Sequence, residues 1–146
     1  MALSPVLANL VEELRRGAHT LAVASGDTVR TFSRRGVADL YSLLTEEPGM
    51  LRGASVADKV TGKGAAALMM LGGVAEMHTD VISESALGLL EQSGMAVHYD
   101  LAVPYIINRR GDGMCPVETL CLPCRTAAEC LPLITEFIER NKQQKI

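Results

Sequence analysis

A single α/β domain is what the sequence predicts, and three observations predict it. The chain has 146 residues, a size at which folding buries about 68–70% of the unfolded chain's surface and one core suffices. Beyond residue 54, strand-like and helix-like segments alternate, the pattern of βα units feeding a mainly parallel sheet with helices on its faces. Ahead of them, two short β-patterned runs flank Gly26-Asp27, a pair suited to a tight two-residue hairpin because glycine tolerates positive φ.

Each element has its own signal. Leu3, Leu7, Leu10, Val11 and Leu14 recur at helical spacing after Ser4-Pro5, a cap followed by proline at the first helical position, which predicts a helix over about 4–16 ended by Gly17. The run TLAVASGDTVRTFS supplies the hairpin. Val37, Leu40, Tyr41, Leu43 and Leu44 mark a short amphipathic helix that stops before Glu47-Pro48, since the residue preceding proline is pushed out of helical space. ASVADKV reads as a strand, AAALMMLGG as a buried helix, MHTDVIS as a strand, SALGLLEQSG as a helix closed by Gly94, and MAVHYDLAV as one or two strands. A further strand is expected over Tyr105 to Ile107, and a last helix over about Thr126 to Arg140, followed by a frayed NKQQKI tail. No repeat, linker or low-complexity tract argues for a second domain, so residues 1–146 are read as one, with a cysteine-rich C-terminal segment over 115–141.

Composition narrows the function classes. A formal net charge of -3 makes a poor phosphate-backbone binder, and 3% aromatic residues with no Trp leaves few stacking platforms, so no nucleic-acid partner is expected. The longest apolar run, Ala65 to Ala75, is broken by Gly72-Gly73 and falls short of a membrane span, which needs about 18 residues. The N-terminus places Glu12 and Glu13 where an export signal would carry its apolar stretch. A cytoplasmic protein is expected, with its four cysteines as reduced thiols or metal ligands.

Three stretches carry residues suited to chemistry. Asp58, Lys59, Thr61, Gly62, Lys63 and Gly64 lie where a strand gives way to a helix, and open α/β sheets bind ligands at the carboxyl ends of their strands. Two lysines and two glycines there suit a phosphate or carboxylate, although the GxxxxGK[ST] loop is absent because position 57 is Ala. Ser83-Glu84-Ser85 begins the next helix, with a serine as cap and Glu84 favoured by the helix dipole or available to a ligand. The four cysteines follow the pattern C-x5-C-x2-C-x5-C: Cys115, Cys121, Cys124 and Cys130. The CxxC pair allows zinc or an iron–sulfur cluster, the full spacing matches no common signature, and Cys130 fits an apolar helix face. Cys115 precedes Pro116 at a helix start, where thiols tend to be reactive, and Glu118 lies one turn on as capping partner or general base. His19, His78 and His98 show no HxH or HExxH spacing and read as core or edge histidines; Arg109 and Arg110 sit in a turn, open to an anion.

The LAVASGDTV hairpin, the ADKVTGKGAAALMMLGGV segment and NRRGDGMCPVE, in that order, make the run from Leu21 to Glu118 resemble the domain of unknown function 1893 family, about two thirds of the chain. The resemblance implies a cytidine-deaminase-like fold, a three-layer α/β/α arrangement whose mixed sheet starts as a hairpin and continues as parallel βα units. Zinc-dependent deaminases open one helix with His (or Cys)-x-Glu and the next with Pro-Cys-x-x-Cys. Here those positions read DKVTGKG and SESALGLL, which offer no such ligand set. The leading expectation is a small-molecule-binding domain, able to form a homodimer, that acts on an anionic or nucleotide-like metabolite. In it Lys59 holds the anion, Asp58, Thr61 and Lys63 complete the pocket, Cys115 is nucleophile or ligand and Glu118 its base. The alternatives are a metal or iron–sulfur redox protein using the four cysteines, and a non-catalytic interaction domain.

Overall fold

The computed structural model describes residues 2–144. Helix α1 (Pro5–Arg16) begins as its sequence dictates: Ser4 Oγ accepts the Leu7 N–H at 3.1 Å and Pro5 takes the first helical position. Strands β1 (Leu21–Ser25) and β2 (Thr28–Phe32) pair antiparallel with Ser25 opposite Thr28, so Gly26-Asp27 is the two-residue turn, and Gly26 takes φ of 58°. Helix α2 (Ala38–Glu46) and a short 3-10 turn at Pro48–Met50 lead to strand β3 (Ser55–Thr61).

From β3 onward the alternation is regular: helix α3 (Lys63–Gly72), strand β4 (Glu76–Ser83), helix α4 (Glu84–Leu90) and strand β5 (Ala96–Val103). The sheet order is β2-β1-β3-β4-β5, with β1 antiparallel to both neighbours and β3, β4 and β5 mutually parallel. In place of the further strand expected over Tyr105 to Ile107 there is one isolated bridge, Ile107 to Met114. The segment after β5 instead folds back on itself, with the Asn108 side chain bonded to Asp112. Helices α5 (Pro116–Cys121) and α6 (Ala127–Gln144) complete the chain. The helix thus continues into the tail expected to fray, whose last two positions, 145 and 146, lie outside the described residues.

Helices flank the sheet unequally. α1 lies alone on one face, where Leu7, Leu10, Val11 and Leu14 pack on Ala22, Ala24 and Ala57, small residues that let the helix come close. On the other face Val23, Val56 and Met77 meet Leu40 and Leu43 of α2, Leu68 and Met69 of α3, and Ile134 of α6 in the main core. Ala66, Ile82, Ala86 and Leu90 extend that layer under α4. Among the described residues no helix is long and apolar enough to cross a membrane.

Candidate functional site

The carboxyl ends of β3 and β4 stop side by side, with Thr61 paired to Ile82, and a helix starts directly after each. The free N–H groups of both helix starts therefore face one crevice, a geometry suited to an anion. α3 begins after Gly62, which has no side chain to cap it. α4 begins after Ser83, whose Oγ accepts the Ala86 N–H at 3.1 Å.

The anion in that crevice is the chain's own Glu118. Brought in by α5 and 1% exposed, its Oε1 accepts from the Lys63 N–H (2.9 Å), Ser83 Oγ (3.1 Å) and Ser85 Oγ (2.9 Å). Its Oε2 accepts from the Ile106 N–H at 2.8 Å. Glu118 thus caps α3 from 55 residues away in sequence and ties α3, β4, α4 and the segment after β5 to α5. Glycines ease the approach: a Cβ on Gly62 would crowd Ile106 Cγ1 at 3.2 Å, and one on Gly64 would stand 2.4 Å from Val117 Cγ1.

The remaining residues of the DKVTGK stretch divide. Lys63 is buried, and its ammonium donates to the carbonyls of Leu122 (2.9 Å) and Cys124 (2.5 Å), satisfying acceptors at the end of α5. Asp58 is also buried and accepts from Thr61 Oγ1 at 2.9 Å. Burial pushes its carboxyl up to about 7, against the opposing pull of the Thr61 hydroxyl and the Lys59 and Val60 N–H groups. Lys59 is half-buried on β3, and its N–H donates to the Thr20 carbonyl at 3.2 Å. Glu84 is exposed in the first turn of α4, and Arg109 is exposed in the turn beyond β5.

The cysteines separate into one and three. Cys115 is partly exposed at the cap position of α5, and its N–H donates to the Ile106 carbonyl at 2.7 Å. Both oxygens of Glu118 are engaged by the donors above, so the carboxylate serves as an anchor and not as the base for Cys115 that its spacing suggests. Cys121, Cys124 and Cys130 are buried together. Cys130 Sγ donates to the Thr126 carbonyl at 3.6 Å; the neighbouring Cys130 thiol lowers the Cys121 thiol, Cys121 and burial raise Cys130, and burial raises Cys124. Cys124 lines an open surface groove of about 410 Å³ with Pro123, Glu129, Pro132 and Leu133.

A second polar group lies on the α1 face, and neither HxH nor HExxH spacing marks it. His78 Nε2 lies 3.2 Å from Asp100 Oδ1, and Arg15 of α1 reaches Asp80 at 3.0 Å and Asp100 at 3.1 Å. Its signal in the sequence is His-x-Asp occurring twice, at 78–80 and 98–100.

Known proteins share this architecture. A model of the family described as Domain of unknown function (DUF1893) matches residues 9–138. The crystal structure of a DUF1893 family protein, TM1506 from Thermotoga maritima, is similar at a TM-score of 0.84 and 25% identity, covering 93% of this chain and 92% of that one. A comparison with curated proteins returns no match. With most of its length matched by the family model and its architecture shared with a solved member, the chain belongs to the DUF1893 family.

Proposed function

We propose that this DUF1893 chain is a small-molecule-binding domain whose ligand, an anionic or nucleotide-like metabolite, enters at the carboxyl ends of β3 and β4. The observation that carries the reading is the convergence of four donors from α3, β4, α4 and the segment after β5 on one buried carboxylate at that spot. Such a polar assembly at strand ends, beside a buried acid that titrates near neutrality, marks a functional site more often than an ordinary core. Asp58 and Thr61 supply hydrogen bonds, Lys59 holds the anionic group, Cys115 presents a thiol beside the entrance, and Glu118 keeps the two helix starts in place.

The strand order and the early hairpin support a cytidine-deaminase-like reading of the fold. α3 opens with Gly62-Lys63 and α4 with Ser83-Glu84, where a deaminase would carry its zinc ligands, so hydrolytic deamination is not the reaction proposed. Thermal shifts against nucleotides and phosphorylated metabolites test the reading. A ligand at 100 times its Kd stabilises by about 2.7 kcal/mol, which raises Tm by about 5–11 °C in a chain of this size. Lys59→Ala and Asp58→Asn should shrink that rise and Cys115→Ser should alter it. Shifts unchanged in all three variants, or no shift with either compound class, would end the proposal.

The burial of Cys121, Cys124 and Cys130 in one core cluster supports a second reading, a thiol-based metal or redox site. Bound zinc or iron, measured in protein purified without oxygen and lost in Cys121→Ser, is its expected signature.

A further inference from the structure

The two edges of the sheet are finished differently. At one end β2 has five residues and carries Arg30, whose guanidinium lies 5.2 Å from the Phe32 ring centroid and binds Glu47. A charged side chain on a short edge strand guards against pairing with another chain. At the other end β5 runs for eight residues, AVHYDLAV, and among the described residues β4 is its one neighbour in the sheet. Tyr99 and Leu101 are 46% and 56% exposed there, and Ala96 and Ala102 are exposed as well. The outward N–H and C=O groups of such a strand are a template for one strand more.

The order of residues in β5 says which strand fits. They mirror one another about Tyr99: His98 answers Asp100, Val97 answers Leu101 and Ala96 answers Ala102. A twofold axis at Tyr99 relating two antiparallel copies of β5 therefore lays His98 of one copy opposite Asp100 of the other, and Val97 opposite Leu101. Opposed residues of an antiparallel pair share a face, with Cβ atoms about 4.5–5.5 Å apart, and the axis makes each match twice. Other registers lose the complement. A slip of one residue sets Asp100 against Tyr99 or Val97, and a slip of two sets Asp100 against Asp100 or His98 against His98. The same operation centred on β2 would set Arg30 against Arg30.

Asp100 has room for the contact. Its oxygens lie 3.2 Å from His78 Nε2 and 3.1 Å from Arg15, yet 57% of the side chain is exposed. A carboxylate offers about four lone-pair sites, which leaves acceptors for an imidazole N–H arriving from outside the sheet.

We propose that the chain forms a twofold homodimer in which β5 pairs antiparallel with β5 of a second copy, centred on Tyr99, joining two five-stranded sheets into one continuous sheet. The His98–Asp100 pairs fix the register, and the Val97–Leu101 pairs bury the exposed apolar surface of the edge. The interface does not involve Glu118 and is independent of the crevice reading.

Sedimentation equilibrium on the full chain tests the assembly, with a mass twice the chain's 15.6 kDa expected. His98→Asp turns both charge pairs from attraction to repulsion and should weaken the dimer by about tenfold. Leu101→Lys sets an ammonium against Val97 twice and should weaken it further. Leu101 is exposed and His98 half-buried, so the variants should keep the wild-type circular dichroism spectrum. Cross-linking tests the register separately. In a Cys115→Ser background, Tyr99→Cys should oxidise readily to a disulfide-linked dimer, because the two positions face each other across the axis. Leu101→Cys should not, because its two copies stand about 13 Å apart along the strands. A monomeric wild type, a dimer that either charged substitution leaves unweakened, or cross-linking no faster at 99 than at 101 would overturn the proposal.

Discussion

Replacing Glu118 should cost more stability than any other single polar substitution in the molecule. In Glu118→Gln the amide oxygen can still accept from Lys63, Ser83 and Ser85, but the new NH2 group meets the Ile106 N–H, donor against donor, where 2.8 Å now separates a bonded pair. Hydrogen bonds to a charged group contribute about 1.5–3 kcal/mol each, and an orphaned buried donor costs about 1–3 kcal/mol. The two serine hydroxyls can turn toward each other across 3.1 Å, so the loss falls on the Ile106 amide in the glutamine variant and on both the Lys63 and Ile106 amides in the alanine variant. A destabilisation of about 3 kcal/mol follows for glutamine and about 4–5 kcal/mol for alanine, which also leaves a void. Urea unfolding gives the free energies directly, and hydrogen exchange at the Ile106 amide reports the local release. If both variants unfold within about 0.5 kcal/mol of the wild type, the level expected of an ordinary surface change, the carboxylate is not the clasp described.

Three further outcomes follow. Asp58 has a folded-state carboxyl raised from 3.8 to about 7, so between those values the native state holds a proton that the unfolded chain has lost. Stability should therefore fall as pH rises from about 4 to 7, by up to about 4 kcal/mol, and urea midpoints of Asp58→Asn should lack that decline; an identical slope in the variant would exclude Asp58 as its source. Gly64→Ala should destabilise by about 1–3 kcal/mol because its Cβ meets Val117, whereas Gly88→Ala, in α4 with open space around it, should stabilise by about 0.5–1 kcal/mol; thermal unfolding of the pair decides. A thiol reagent should modify Cys115 quickly, Cys124 more slowly, and Cys121 and Cys130 only on unfolding, and faster reaction at Cys124 in Lys63→Met would report release of the turn that Lys63 holds.

The elements that repeat a local rule are legible in the sequence. Ser4-Pro5, Gly26-Asp27 and the alternation after residue 54 each act over a few residues, and the observed helix, hairpin and βα units begin within about two residues of the expected places. The segment after β5 departs from expectation because apolar residues such as Tyr105 and Ile107 suggest a strand, whereas here both are exposed and the backbone turns to deliver the Ile106 N–H to Glu118. The glycines and lysine of GKG stand out as an anion-binding set, and the crevice does hold an anion. That the anion is Glu118 depends on a contact spanning 55 residues, which no local pattern encodes. Lys63, expected to meet a ligand, turns its ammonium to carbonyl groups instead, a pairing set by where α5 ends. The twin His-x-Asp motifs are visible as letters, but only strand register turns a spacing of twenty residues into adjacency.

The reach of Glu118 also bears on the order of folding. β3 to β5 and their helices join neighbours in the chain, whereas the clasp must wait until the sheet has assembled both helix starts that it binds. Contacts made after the rate-limiting step leave the speed of folding alone and govern how long the native state survives. A carboxylate engaged that late would act as a latch on the lifetime of the molecule, holding shut a structure that the rest of the sequence has already built.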